Sequence, residues 1–139
     1  MQPNEVRVTR LVTVATGTSV ASSKPNALPL AASFEVILEV AAGSTIGNSG
    51  GAYTLELTCV DETLAAPNAV LGFVDAQIFD AGDGWNPDGG AAGNYVKVQR
   101  FPFPVPAAVR RHVLRYTVTL TNTGGTVAAF GQSESFILV

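Results

Sequence analysis

Tyr53-Thr54-Leu55-Glu56-Leu57-Thr58-Cys59 decides the fold class. Tyr53, Leu55, Leu57 and Cys59 share one parity, and Thr54, Glu56 and Thr58 share the other. A period of two places the first set on one face of a pleated strand and the second on the opposite face. No helical stripe can be drawn through these residues. The segment therefore reads as a half-buried β-strand over residues 52–60.

The same alternation recurs in both directions along the chain. Upstream, Phe34, Val36, Leu38 and Val40 share a face opposed by Glu35 and Glu39, which predicts a strand over 32–41. A Val- and Thr-rich strand over 5–16 precedes it, and its apolar parity slips near Arg10-Leu11, the mark of a bulge or a change of sheet. Downstream, residues 70–79 are apolar on both parities and read as a strand covered on two faces or one with a bend. Residues 95–105 form a strand whose Pro102 and Pro104 cannot donate to a ladder, so that end must be an edge or an exit. Leu114, Tyr116, Val118 and Leu120 give a strand over 112–121, and Phe136 and Leu138 fall in register in a last strand over 127–139. Between these runs lie turn residues: 17–29, 43–51, 61–68, 80–93 and Asn122-Thr123-Gly124-Gly125. Ala107 to Arg111 suits a single helical turn.

About seven strands at regular spacing, with no crossover helix to join parallel neighbours, predict a single all-β domain over 1–139. The expected architecture is a two-sheet antiparallel sandwich. A chain of 139 residues is long enough to bury one core.

Composition narrows the function classes. Charged residues make up 14 % of the chain, against roughly 25 % in an average soluble protein. Thr, Ser, Ala and Gly must then occupy much of the surface, and such a surface associates more readily than a charged one. The eight Lys and Arg are scattered, apart from Arg110-Arg111, and the net charge is −3. Neither feature suits phosphate binding, so nucleic acid is not an expected partner. Apolar runs are broken well short of the ~20 residues of a membrane helix, so membrane insertion is not expected. No basic-then-apolar leader opens the chain. Retention in the cell, a start after a processed leader, and export by another route all remain open. The single Cys59 has no disulfide partner and reads as a small buried hydrophobe.

The strand series, together with Ala107-Ala108-Val109-Arg110-Arg111-His112-Val113-Leu114-Arg115-Tyr116-Thr117-Val118-Thr119-Leu120, resembles the immunoglobulin-like and fibronectin type III sandwiches. The segment looks like their penultimate strand entered from a turn, and the resemblance implies a tyrosine corner at Tyr116. The only tryptophan, Trp85, lies in a loop instead of on the third strand. Likeness of fold carries no activity with it.

One local cluster invites chemistry: Phe79-Asp80-Ala81-Gly82-Asp83-Gly84-Trp85-Asn86-Pro87-Asp88-Gly89-Gly90. Asp80, Asp83 and Asp88 offer hard oxygen ligands on a flexible loop, the chemistry that Ca²⁺ requires, though the spacing is not that of an EF-hand. Asp61-Glu62 would add ligands if the two loops met. Asp, Asn, Gly and Pro also collect in turns for backbone reasons alone, with no ion involved. Trp85 and Asn86 form a candidate ligand-binding pair for a sugar ring or a protein partner. The competing reading folds Trp85 back over an open end of the sandwich. His112 is the only histidine, and neither a nucleophile elbow, a phosphate loop nor a dinucleotide fingerprint is present. The expectation is a non-catalytic structural or protein-binding module, self-associating or part of a larger assembly. The alternative is a calcium-dependent ligand- or carbohydrate-binding domain.

Overall fold

The computed structural model describes residues 2–17, 33–90, 93–122, 124–125 and 128–138. Among these residues nine strands run in the order β1 (Val6–Ala15), β2 (Ser33–Ala42), β3 (Ala52–Asp61), β4 (Ala66–Ile78), β5 (Asn86–Pro87), β6 (Tyr95–Pro104), β7 (Val113–Asn122), β8 (Ala128–Gln132) and β9 (Phe136–Ile137). They form two antiparallel sheets. One has the order β1-β2-β6-β5, and the other has the order β4-β3-β7-β8, with β9 also paired to β7. No helix among the described residues is long and apolar enough to cross a membrane.

Parity builds the core. Phe34, Val36, Leu38 and Val40 point inward from β2. Tyr53, Leu55, Leu57 and Cys59 do so from β3, and Leu114, Tyr116, Val118 and Leu120 from β7. All twelve are at most 3 % exposed. β3 and β7 pair without a register shift from Tyr53↔Asn122 to Asp61↔Leu114. The two best-patterned segments thus lie side by side at the centre of one sheet.

The slip in β1 is a bulge between Val8 and Arg10. Thr9 is skipped by the ladder, and its hydroxyl donates to the carbonyl of Glu39 instead (3.0 Å). One extra residue inverts the parity, so Val6 before the bulge and Leu11 and Thr13 after it are all buried. Val12, Val14 and Ile37 then make a second cluster on the other side of the same sheet.

Several boundaries differ from those the pattern predicts. β4 begins at Ala66, inside the expected 61–68 turn, because a shift between Leu57 and Cys59 lets Asn68, Pro67 and Ala66 pair past a bulge. The 80–93 loop holds a 3₁₀ turn (Ala81–Asp83) and the two-residue β5. The last strand is broken at Ser133, whose hydroxyl accepts the Tyr116 amide (3.0 Å) and donates to the Glu134 carbonyl (2.9 Å), displacing the ladder there. The helical turn is a 3₁₀ turn, Ala107–Val109. β6 is flanked by β2 throughout but by β5 only at Val96 and Tyr95. Beside Pro102 and Pro104, then, no strand among the described residues lies on the side away from β2. Most of the 17–29 loop lies outside the described residues.

Tyr116 does not make a corner. Its hydroxyl donates to the carbonyl of Leu71 in β4 (2.9 Å), not to backbone a few residues upstream. The ring stacks on Phe136 with centroids 5.7 Å apart. Phe101 is buried and Phe103 packs between Phe34 and Tyr116, so the Pro-spaced aromatics belong to the core.

The turn after β3 is tied to the start of β7. His112 Nδ1 donates to Asp61 Oδ2 (2.7 Å), the Leu64 amide donates to Asp61 Oδ1 (3.1 Å), and the Val113 amide donates to the Thr63 hydroxyl (2.9 Å). Burial alone would raise the Asp61 pKa, but the His112 and Leu64 hydrogen bonds outweigh it and hold the carboxyl below the usual carboxylate range.

Two outcomes follow for stability. Leu57→Ala, at a site 1 % exposed, should cost about 2–5 kcal/mol in a denaturant titration. Asp61's depressed pKa contributes stability above its unfolded value of about 3.9, and that contribution is lost as pH falls through the lower folded value. Asp61→Asn should therefore destabilise by about 1–3 kcal/mol near neutrality. The gap between variant and wild type should close as pH drops toward about 3. A pH-independent gap in melting temperature would show that the charge plays no part.

Candidate functional site

The acidic loop is built by backbone capping. Asp80 caps the 3₁₀ turn, its Oδ1 accepting the Asp83 amide (3.0 Å). Asp83 Oδ2 accepts the Ile78 amide (2.7 Å), and Asp88 Oδ1 accepts the Gly90 amide (2.9 Å). Each carboxylate thus serves its own turn. Among the described residues no group of three or more His, Cys, Asp or Glu is gathered as a metal site. Asp61-Glu62 stands at the far end of β3 from this loop, since Ala52, at the near end, pairs with Ile78. At about 3.3 Å per residue the strand separates them by roughly 30 Å, so the two acidic turns do not meet.

Trp85 is not a surface platform. Gly84, at φ 90°, turns the chain at the end of the 3₁₀ turn. The indole is 1 % exposed. It packs on Phe79 with centroids 5.2 Å apart and meets Tyr53 edge-on at 6.3 Å. Its Nε1 donates to the Tyr53 hydroxyl (3.1 Å). The ring closes one end of the sandwich, which overturns its reading as a sugar- or partner-stacking residue. Asn86 is exposed, and its Nδ2 donates to the Gly84 carbonyl (3.1 Å).

Beneath Trp85 runs a polar network that joins the two sheets. The Tyr53 hydroxyl donates to Gln77 Oε1 (2.7 Å), and Lys97 Nζ donates to the same oxygen (2.7 Å) and lies 3.4 Å from Tyr53 Oη. Gln77 Nε2 in turn reaches Gln99 Oε1 (3.1 Å) and Asp75 Oδ2 (3.3 Å). Tyr53 and Gln77 are cross-strand partners in one sheet, whereas Lys97 and Gln99 belong to β6 of the other. Lys97 is 6 % exposed. Among the described residues it has no carboxylate within ion-pair distance. Burial lowers its pKa, opposed by the more distant Asp83 and Asp75. Burial also pushes the Tyr53 phenol up to about 12, partly offset by the Trp85 hydrogen bond. Cys59 is raised to about 12, chiefly by burial, and is no nucleophile at neutral pH. The sequence carried a signal for this network, because Gln77 and Lys97 interrupt inward-facing apolar parities.

The outer faces of the two sheets differ in where their charges sit. On the first, ion pairs Arg10–Glu39 (3.1 Å) and Arg100–Glu35 (2.9 Å) flank the second apolar cluster. On the second, register sets out three cross-strand rows: Ala76-Thr54-Thr121-Ala128, Val74-Glu56-Thr119-Phe130 and Thr58-Thr117-Gln132. Glu56 is the only charged side chain in these three rows; in the next, Arg115 stands opposite Val60 and pairs with Glu62 (3.3 Å). Val74 is 66 % exposed and Phe130 59 %. Val70 and Ile78 extend the apolar border along β4, which among the described residues pairs with β3 alone. The β4 bulge opens a recess of about 450 Å³ beside this face, between Glu56, Thr58, Pro67, Asn68, Gly72 and Val74. A row of threonines with apolar ends offers flat, weakly hydrated contact area and hydroxyls that can donate or accept.

Comparison with models of protein families and with curated proteins gives no match to this chain.

Proposed function

We propose that this protein is a non-catalytic structural module with an immunoglobulin-like sandwich, acting by burying the outer face of β4-β3-β7-β8 against a second copy or another protein. The observation that carries the reading is where the charges sit on the two faces. Two ion pairs flank the apolar cluster of the first, while on the second Arg115 and Glu62 pair at one end and the rest presents threonines and exposed Val74, Ile78 and Phe130 around Glu56. Exposed apolar residues gathered on one face mark interaction surfaces, whereas scattered ones do not. β4 adds a strand edge that has no second partner among the described residues to the same side.

The immunoglobulin-like assignment rests on strand order. β1-β2-β6-β5 against β4-β3-β7-β8 corresponds to A-B-E-D facing C′-C-F-G. In that correspondence Tyr116 lies on strand F, the strand that carries the corner tyrosine in such domains, although its hydrogen bond here runs to β4.

Light scattering on the purified chain at rising concentration tests the reading. The wild type should gain mass into the high micromolar range. Thr119→Lys and Phe130→Glu, at the centre of the face, should hold it monomeric with stability changed by no more than about 0.5 kcal/mol. Val98→Glu, an exposed position on the other sheet (47 %), should leave association intact. A wild type that remains monomeric and captures no partner through this face, or association lost equally in all three variants, would remove the basis for the assignment.

A further inference from the structure

We propose that Lys97 and Gln77 form an intramolecular isopeptide bond that covalently joins the two sheets. The inference goes beyond the interaction-face reading and does not depend on it. Lys97 Nζ and the Gln77 carboxamide oxygen lie 2.7 Å apart, so a small shift of the amine from oxygen to carbon begins the attack. The Tyr53 hydroxyl, 2.7 Å from that same oxygen, is placed to stabilise the oxyanion as it forms. Trp85 Nε1 donates to Tyr53 and fixes the direction of its proton. Asp75 Oδ2 stands at the carboxamide nitrogen, which becomes the leaving group (3.3 Å).

The step balances without a further reactant. The lone pair of the neutral Lys97 amine attacks Gln77 Cδ, forming a C–N bond and a tetrahedral oxyanion. Once bonded to Cδ the attacking nitrogen lies beside Nε2 and gives it one proton, while Asp75 Oδ2 accepts a hydrogen bond from Nε2 (3.3 Å) and favours its positive charge. The Cδ–Nε2 bond breaks, the carbonyl re-forms, and one ammonia leaves. Nothing is oxidised or reduced. The event occurs once per chain and does not turn over.

Three features of the surroundings favour it. The amine must be uncharged to attack, and burial shifts Lys97 in that direction. The mutually packed Phe79, Trp85 and Tyr53 rings cover one side of the pair. The strands preorganise the pair, since Gln77 is held opposite Tyr53 on β4 while β6 carries Lys97 from the facing sheet. A buried lysine with no carboxylate in contact is an unfavourable neighbour for an apolar core, and amide formation abolishes its charge for good.

Intact-mass spectrometry of the full chain, incubated in its native state at neutral pH and then unfolded, should show a mass lower by one ammonia. Cleavage before aspartates, of which Asp80, Asp83 and Asp88 lie between the two residues, should then release one branched peptide joining Gln77 to Lys97. Lys97→Met and Gln77→Leu should each keep the full mass. Tyr53→Phe, which retains the ring contacts, should slow bond formation after refolding by about 10²–10³-fold, and Asp75→Ala should also slow it. Full mass in wild-type protein whose circular dichroism is all-β and whose Trp85 emission is that of a buried indole would overturn the proposal. So would a lost ammonia that maps to Gln2 or to an asparagine.

Discussion

The unbroken pairing of β3 with β7 is the constraint on which the rest of the molecule depends. From Tyr53↔Asn122 to Asp61↔Leu114 no residue is inserted on either side. A slip of one residue would invert one strand against the other, sending either Leu55 and Leu57 or Val118 and Leu120 out to solvent and bringing Thr54 and Glu56, or Thr119, into the core. The bulges lie elsewhere, in β1 and between β3 and β4, toward the margins of the sheets. Irregularity is tolerated where one neighbour must adjust and avoided where two must.

That division explains what could be read from the chain alone. The inward parities of β2, β3 and β7 are legible because these strands have one apolar and one polar face. The two-sheet sandwich follows from them, and the slip at the bulge in β1 is visible as a change of parity. β4 was harder to delimit. Its bulge shifts Asn68, Pro67 and Ala66 into pairing with Cys59, Val60 and Asp61, and Pro and Asn are the residues that ordinarily announce a turn. The break between β8 and β9 depends on one Ser133 hydroxyl replacing a ladder bond, which no periodicity records.

The acidic loop shows the same limit from the functional side. Asp80, Asp83 and Asp88 are the residue types of a cation site, yet each is engaged with a nearby amide. Composition cannot distinguish an oxygen aimed at an ion from one aimed at its own turn. Trp85 was ambiguous for a related reason, because a loop tryptophan can face either way and the left-handed Gly84 decides which. The Tyr53–Gln77–Lys97 network and the threonine rows of the second sheet are both products of strand pairing. The first needs residues from facing sheets, and the second needs β8 brought beside β7, so neither is contiguous in the chain.

Gly131 carries a consequence for how the sandwich closes. A Cβ there would come within 2.5 Å of Val8 Cγ1 and 3.4 Å of Val118 Cγ1, so its absence lets β8 of one sheet lean directly over β1 of the other. A side chain at position 131 would wedge the two sheets apart at that flank, where the core has no depth to absorb it. The narrow end of the sandwich is thus set by an atom that is missing and not by one that is present.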